Sequence, residues 1–116
     1  MRVEVEVGDW EHECCGDEIE RYRRVRWTCG THEGRLFETH HDLEGISVEE
    51  VVGTVVHIEA VLQDGTRVAI DRIPSGDAMR GCDPHDDGLI LEQYTGEPVD
   101  AASHDLIFIV TVDTRR

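Results

Sequence analysis

The opening residues MRVEVEV set Val3, Val5 and Val7 against Glu4 and Glu6, a period of two that predicts a β-strand with one buried and one wet face. A partner lies downstream in RRVRWT. Paired antiparallel so that residue numbers sum to 30, residues 2–7 and 23–28 place Val3 opposite Trp27 and Val5 opposite Val25, with Glu4 opposite Arg26 and Glu6 opposite Arg24. Opposite charges facing each other across a ladder contribute about 0.2–1 kcal/mol per pair and help to fix register. The pattern therefore predicts a long hairpin with HECCGDE, residues 12–18, at its tip.

Residues 30–46 have weak periodicity and many Gly, His, Thr and acidic positions, so they read as a long loop. Ser47 and Glu50 have the spacing of a helix capping box, but Val51, Val52, Thr54, Val55, Val56 and Ile58 are β-branched and favour a strand. The tetrapeptide QDGT between two apolar runs predicts a second hairpin, with Gly65 at a bulge, Leu62 opposite Val68 and Ala60 opposite Ile70. Residues 74–88 collect Pro, Gly and Asp and read as a second long loop. LILEQY (89–94) and DLIFIVTV (105–112) supply the last two strands, and the unbroken apolar run from Leu106 to Val110 suggests one covered on both faces. The expected architecture is all-β, a small antiparallel barrel or rolled sheet of about six strands with two long loops, in a single domain spanning residues 1–116. Closure would remove exposed strand edges.

Composition changes the setting more than the fold. Asp and Glu total 26 against 11 basic residues, for a formal net charge of −15, and every basic residue is Arg. Such acidity without Lys points to the cytoplasm of a salt-accumulating halophile, where salt screens carboxylate repulsion. It also repels phosphate backbones, and with 5% aromatic residues few stacking platforms remain, so nucleic acid is not an expected partner. No apolar run of membrane-spanning length and no secretory signal pattern occurs, which gives a cytoplasmic expectation with no membrane partner.

Four cysteines in a cytoplasmic chain point to ligands or thiols before disulfides. Two C-x-x-H pairs stand out. Cys29 with His32 and Cys82 with His85 would supply two thiolates and two imidazoles, a set suited to tetrahedral zinc. In a simple up-and-down meander both pairs reach the same rim, where a structural zinc ion would tie two loops together. A second candidate site joins the adjacent Cys14 and Cys15 to His40 and His41, with His12 and His104 as further imidazoles. The bland reading treats Cys29 and Cys82 as small packed residues and the histidines as solvated. Phosphate-binding, nucleophile-elbow and zinc-protease motifs are absent from the sequence.

Asp9-Trp10 followed by Glu13-Cys14-Cys15-Gly16, an Arg-Val-Arg-Trp strand and Gly53-Thr54-Val55-Val56-His57-Ile58 together resemble a family of short bacterial proteins that begin D-W-x-x-E-C-C-G. The likeness covers roughly the first sixty residues and carries no assigned activity. The leading expectation is a non-enzymatic small β-barrel domain with a structural zinc site, acting as an interaction module or forming a homodimer through an exposed LIFIV strand. The alternative is a thiol- or metal-dependent enzyme, a hydrolase or redox catalyst, that uses Cys14 or Cys15 with a nearby histidine.

Overall fold

The computed structural model describes residues 1–8, 12, 16–38, 48–62, 64–99 and 107–115. Alternation in the first segment becomes β1 (Arg2–Gly8), with Val5 and Val7 buried and the glutamates turned outward. The predicted hairpin with residues 23–28 does not form. β1 pairs antiparallel along its length with β8 (Ile107–Asp113), Val5 opposite Val110 and Val3 opposite Val112. β3 (Arg24–His32) pairs instead with β5 (Val48–Val61), so that Arg24 stands opposite Thr54 and Arg26 opposite Val52. The reason is that a period of two selects a face and leaves the partner open. Val110 and Val112 bury the valine face of β1 as well as Val25 and Trp27 would, and β8 needs neighbours on both edges.

Between those strands the chain makes a small second sheet in which β2 (Ile19–Glu20) pairs with β7 (Arg72–Ile73). Tyr22 then turns through a left-handed backbone (φ 69°), and its N–H donates to Val55 O at 2.6 Å. The expected ion pairs are replaced by others: Arg26 with Glu50 at 3.3 Å, Arg35 with Glu6 at 3.5 Å and Arg67 with Glu4 at 3.9 Å. On solvent-exposed surfaces such pairs are worth about 0–1 kcal/mol each and do not choose a topology.

The expected loop 30–46 is partly strand. β3 continues to His32, Glu33 and Gly34 take positive φ (50° and 76°), and β4 (Arg35–Glu38) returns with His32 opposite Arg35. Positive φ at both central residues is the two-residue hairpin turn whose twist matches its strands. Glycine at the second position makes it cheap, and Gly30 lets the Phe37 ring lie over the backbone opposite it.

The QDGT hairpin forms between β5 and β6 (Arg67–Ala69), but two residues tighter than expected, with Ala60 opposite Val68. Leu62 N–H donates to Thr66 O, Gly65 N–H to Leu62 O, and Asp64 Oδ1 accepts from Thr66 N–H, each at 2.9 Å. A shift of two preserves the face of every side chain, which is why the apolar pattern alone did not exclude it. LILEQY makes no regular strand. Only isolated bridges join Ile70 to Glu92 and Leu91 to Pro98, because the chain reverses at once around Gly96 (φ 71°). That segment nevertheless covers the end of β6, with Gln93 N–H donating to Ala69 O. The second loop contains one helical turn, α1 (Gly76–Met79), capped by Ser75 Oγ, which accepts from Ala78 N–H.

The protein is nearly all-β, as the alternation required. Its main sheet has the order β3-β4-β1-β8-β5-β6, and β3 also pairs with β5, so hydrogen bonds run in a ring through five strands. An odd ring cannot close with antiparallel neighbours throughout. The parallel pair, Val5–Leu36 and Glu6–Phe37 between β1 and β4, resolves the parity. Phe108, Ile58, Val55, Val110 and Val112 fill the interior at 0% exposure. β8 lies between β1 and β5 with both edges paired, so it has no free edge to offer a second copy, contrary to the dimer expected through LIFIV. Among the described residues no helix is long and apolar enough to cross a membrane.

Candidate interaction groove

The first predicted zinc set is not brought together. Cys29 and His32 lie within one extended strand, where side chains three residues apart point to opposite faces. Cys29 is buried in the core at 0% exposure, whereas His32 is exposed beside Glu33. Cys82 and His85 are also exposed, in the segment after α1, with His85 N–H donating to Asp83 Oδ1 at 2.9 Å. Among the described residues no group of three or more His, Cys, Asp and Glu side chains is placed to hold one metal ion. C-x-x-H spacing suits a loop that turns back on itself, and β3 stays straight.

Cys29 stands opposite Glu38 on β4 and Glu49 on β5. Burial, then the charge of Glu38 and that of Glu49, push its thiol up to about 12. At neutral pH it is a protonated, packed side chain, neither a nucleophile nor an available thiolate. Mass mapping after brief alkylation of native protein is expected to find Cys82 modified and Cys29 at least about a hundredfold slower, with the two equal in denaturant. Because the folded thiol holds its proton to higher pH than an unfolded one, the stability it contributes is complete below about pH 9 and lost as pH rises toward 12. A Cys29→Ala variant is expected to lack that alkaline slope of about 1.4 kcal/mol per pH unit in urea unfolding.

Cys14, Cys15, His40, His41 and His104 lie outside the described residues. The residues around the cysteine pair are anchored. His12 is 1% exposed, its Nε2 hydrogen-bonds Pro74 O at 2.5 Å, and its carbonyl accepts from Gly16 N–H at 2.8 Å. Gly16 O accepts from Gly76 N–H at 2.9 Å, which joins Gly16 to the start of α1. Beside it, Arg72 binds Asp86 through both terminal nitrogens (2.6 and 2.9 Å) and Glu18 through Nη1 (2.5 Å). The Arg72 hydrogen bonds hold the Asp86 carboxyl down at about 2.

One surface feature among the described residues is one that sequence reasoning missed. β5 is 14 residues long and changes neighbours midway: residues 48–54 pair with β3, and residues 54–61 pair with β8. β8 stops at Asp113, opposite Thr54, and no described strand continues along that side of Val48–Gly53. A groove of about 690 Å³ lies there, lined by Met1, Val3, Leu36, Val51, Val52 and Thr114 together with Arg24, Arg26, Glu49 and Glu50. Arg26 is matched by Glu50, but neither Arg24 nor Glu49 makes an ion pair with a described residue. Two smaller grooves, of about 410 and 270 Å³, flank the Arg35–Glu6 pair. The only trace of the large groove in the sequence is VEEVV, whose adjacent glutamates interrupt an otherwise apolar strand.

Protein-family models, curated proteins and solved structures were each compared with this chain, and none of them matches it.

Proposed function

We propose that this protein is a non-enzymatic β domain that works as an interaction module, receiving an extended protein segment in the groove beside β5. The observation that carries the reading is that no described strand pairs with Val48–Val52 on the side where Val3, Leu36 and Val51 line the groove. An unpaired strand edge offers main-chain hydrogen bonds to an incoming strand, and alternate side chains then supply selectivity. Unmatched charges of both signs, Arg24 and Glu49, would orient such a segment. A structural zinc ion at Cys29, His32, Cys82 and His85 forms no part of this reading, because β3 turns the first two to opposite faces. The strong acidity and lack of Lys fit a cytoplasmic, halophilic setting, where screening lets acidic surfaces approach one another.

A photo-crosslinking residue tests the reading. Placed at Val52, inside the groove, it is expected to yield a discrete protein adduct in the producing cell, and placed at Tyr94, outside the groove, to yield none. Equal adducts at both positions, or none at Val52, would remove the groove from consideration.

A further inference from the structure

We infer that the segment received by this groove is the same β5 edge of a second copy, the two pairing antiparallel about a two-fold axis at Val51. The inference rests on the interaction-module reading and names its partner. Main-chain polarity selects the contact residues. Val55 N–H donates to Arg23 O at 2.9 Å, and Val55 O accepts from Tyr22 N–H at 2.6 Å, so Val55 points its polar groups toward β3. Strand residues alternate in this respect, so Gly53, Val51 and Glu49 also point toward β3. Val48, Glu50 and Val52 point the other way, into the groove, where β8 has ended.

Charge selects the register. An axis at Glu50 would stack that carboxylate on its own symmetry mate, which is destabilising for like charges directly across a ladder. An axis at Val51 pairs Val51 with itself, places Glu50 opposite the partner's Val52 and Glu49 opposite the partner's Gly53. No carboxylate then faces another. Glu50 already has Arg26 at 3.3 Å, the Met1 ammonium lies 3.9 Å from Asp113, and the two Arg and two Glu side chains of the lining balance in a chain of net charge −15. Here two such acidic copies can approach with little local repulsion. The smaller groove of about 410 Å³ also holds two Arg and two Glu, but there Arg67 lies 3.9 Å from Glu4 and Arg35 3.5 Å from Glu6, so its charges are already matched. Val48, 56% exposed at the start of the edge, lies beyond the last pair of this ladder, because β8 already holds that side of Thr54.

Sedimentation equilibrium from 1 µM to 1 mM, in about 0.15 M and about 1 M salt, is the test. A monomer–dimer equilibrium is expected, tighter at high salt because the net charges are screened. Val52→Glu, which sets two carboxylates opposite the two Glu50 side chains, is expected to weaken the dimer about tenfold. Val52→Arg is expected to tighten it by a similar factor, and adding Glu50→Arg to Val52→Glu to restore it. Hydrogen exchange on the unmodified protein supplies a readout independent of folding in the variants: the Glu50 and Val52 amides should gain protection with concentration, while Val51 should not. A strictly monomeric protein across both salts, or a dimer indifferent to residue 52 without that protection, overturns the inference. The Val52 crosslink to a different protein would survive that result, so the two readings fail separately.

Discussion

Replacing Gly53 with Ala is expected to destabilise the fold by about 3 kcal/mol, the upper end of the usual cost of overpacking. A Cβ at Gly53 would overlap the carbonyl oxygen of Asp113 and lie 2.8 Å from both the Asp113 carbonyl carbon and Val112 Cγ1. The obstacle is largely backbone, so a side-chain rotation cannot relieve it. Asp113 is in turn held by registers on both sides, opposite Arg2 on β1 and Thr54 on β5, and by Arg115, whose Nε donates to its carboxylate at 3.0 Å. Moving it away would open the ring where β5 changes partners. The sign makes the prediction discriminating, because in a strand interior Gly costs more conformational entropy than Ala and the replacement would otherwise stabilise. Gly8→Ala is the control: a Cβ there meets no described atom within 4 Å, and its effect should be within about 0.5 kcal/mol of zero. Urea midpoints of the two variants test the pair, and a Gly53→Ala protein as stable as the parent would refute the close crossing of β5 and β8.

Arg72→Met is expected to cost about 2–3 kcal/mol at neutral pH. Arg72 is 22% exposed at its side chain and Asp86 20%, so both charges are largely withdrawn from water, and two carboxylates lose their partner together. The same guanidinium joins β7 to Glu18 just before β2 and to Asp86 in the loop after α1, which no other described side chain does. The pH dependence has a definite sign. Because Arg72 first, and the Gly88 N–H after it, lower the Asp86 carboxyl from 3.8 to about 2, the stability this carboxylate contributes is complete above pH 4 and lost as pH falls through about 2. The gap between parent and variant in urea unfolding should therefore be widest at neutral pH and close between pH 4 and pH 2. A gap that stays constant through that range would mean that the methionine costs stability through packing alone.

Much of the local structure was legible in the sequence. The alternation in RVEVEV, the β-branched run from Val51 to Ile58, the Asp-Gly turn and the apolar run ending at Val110 each became what their chemistry required. The Glu33-Gly34 turn was missed because its flanks, CGTH and RLFE, are short and mixed in polarity. The zinc set failed for a related reason. C-x-x-H has meaning only with a known backbone, and once residues 24–32 were extended Cys29 and His32 could not bind one metal ion. Nor could the groove be read in advance, since it exists where one strand outlasts its neighbour.

By itself, then, the sequence determined which residues would be extended, which faces would be apolar and how acidic the surface would be. These are properties of single residues and of spacing along one strand. The tertiary structure alone decided that Val5 meets Val110 in place of Val25, that an odd ring closes through a parallel pair, and that β5 runs on past the end of β8. Those outcomes depend on competition among several strands that bury valine equally well, and chain length, turn geometry and ring parity settle it between them.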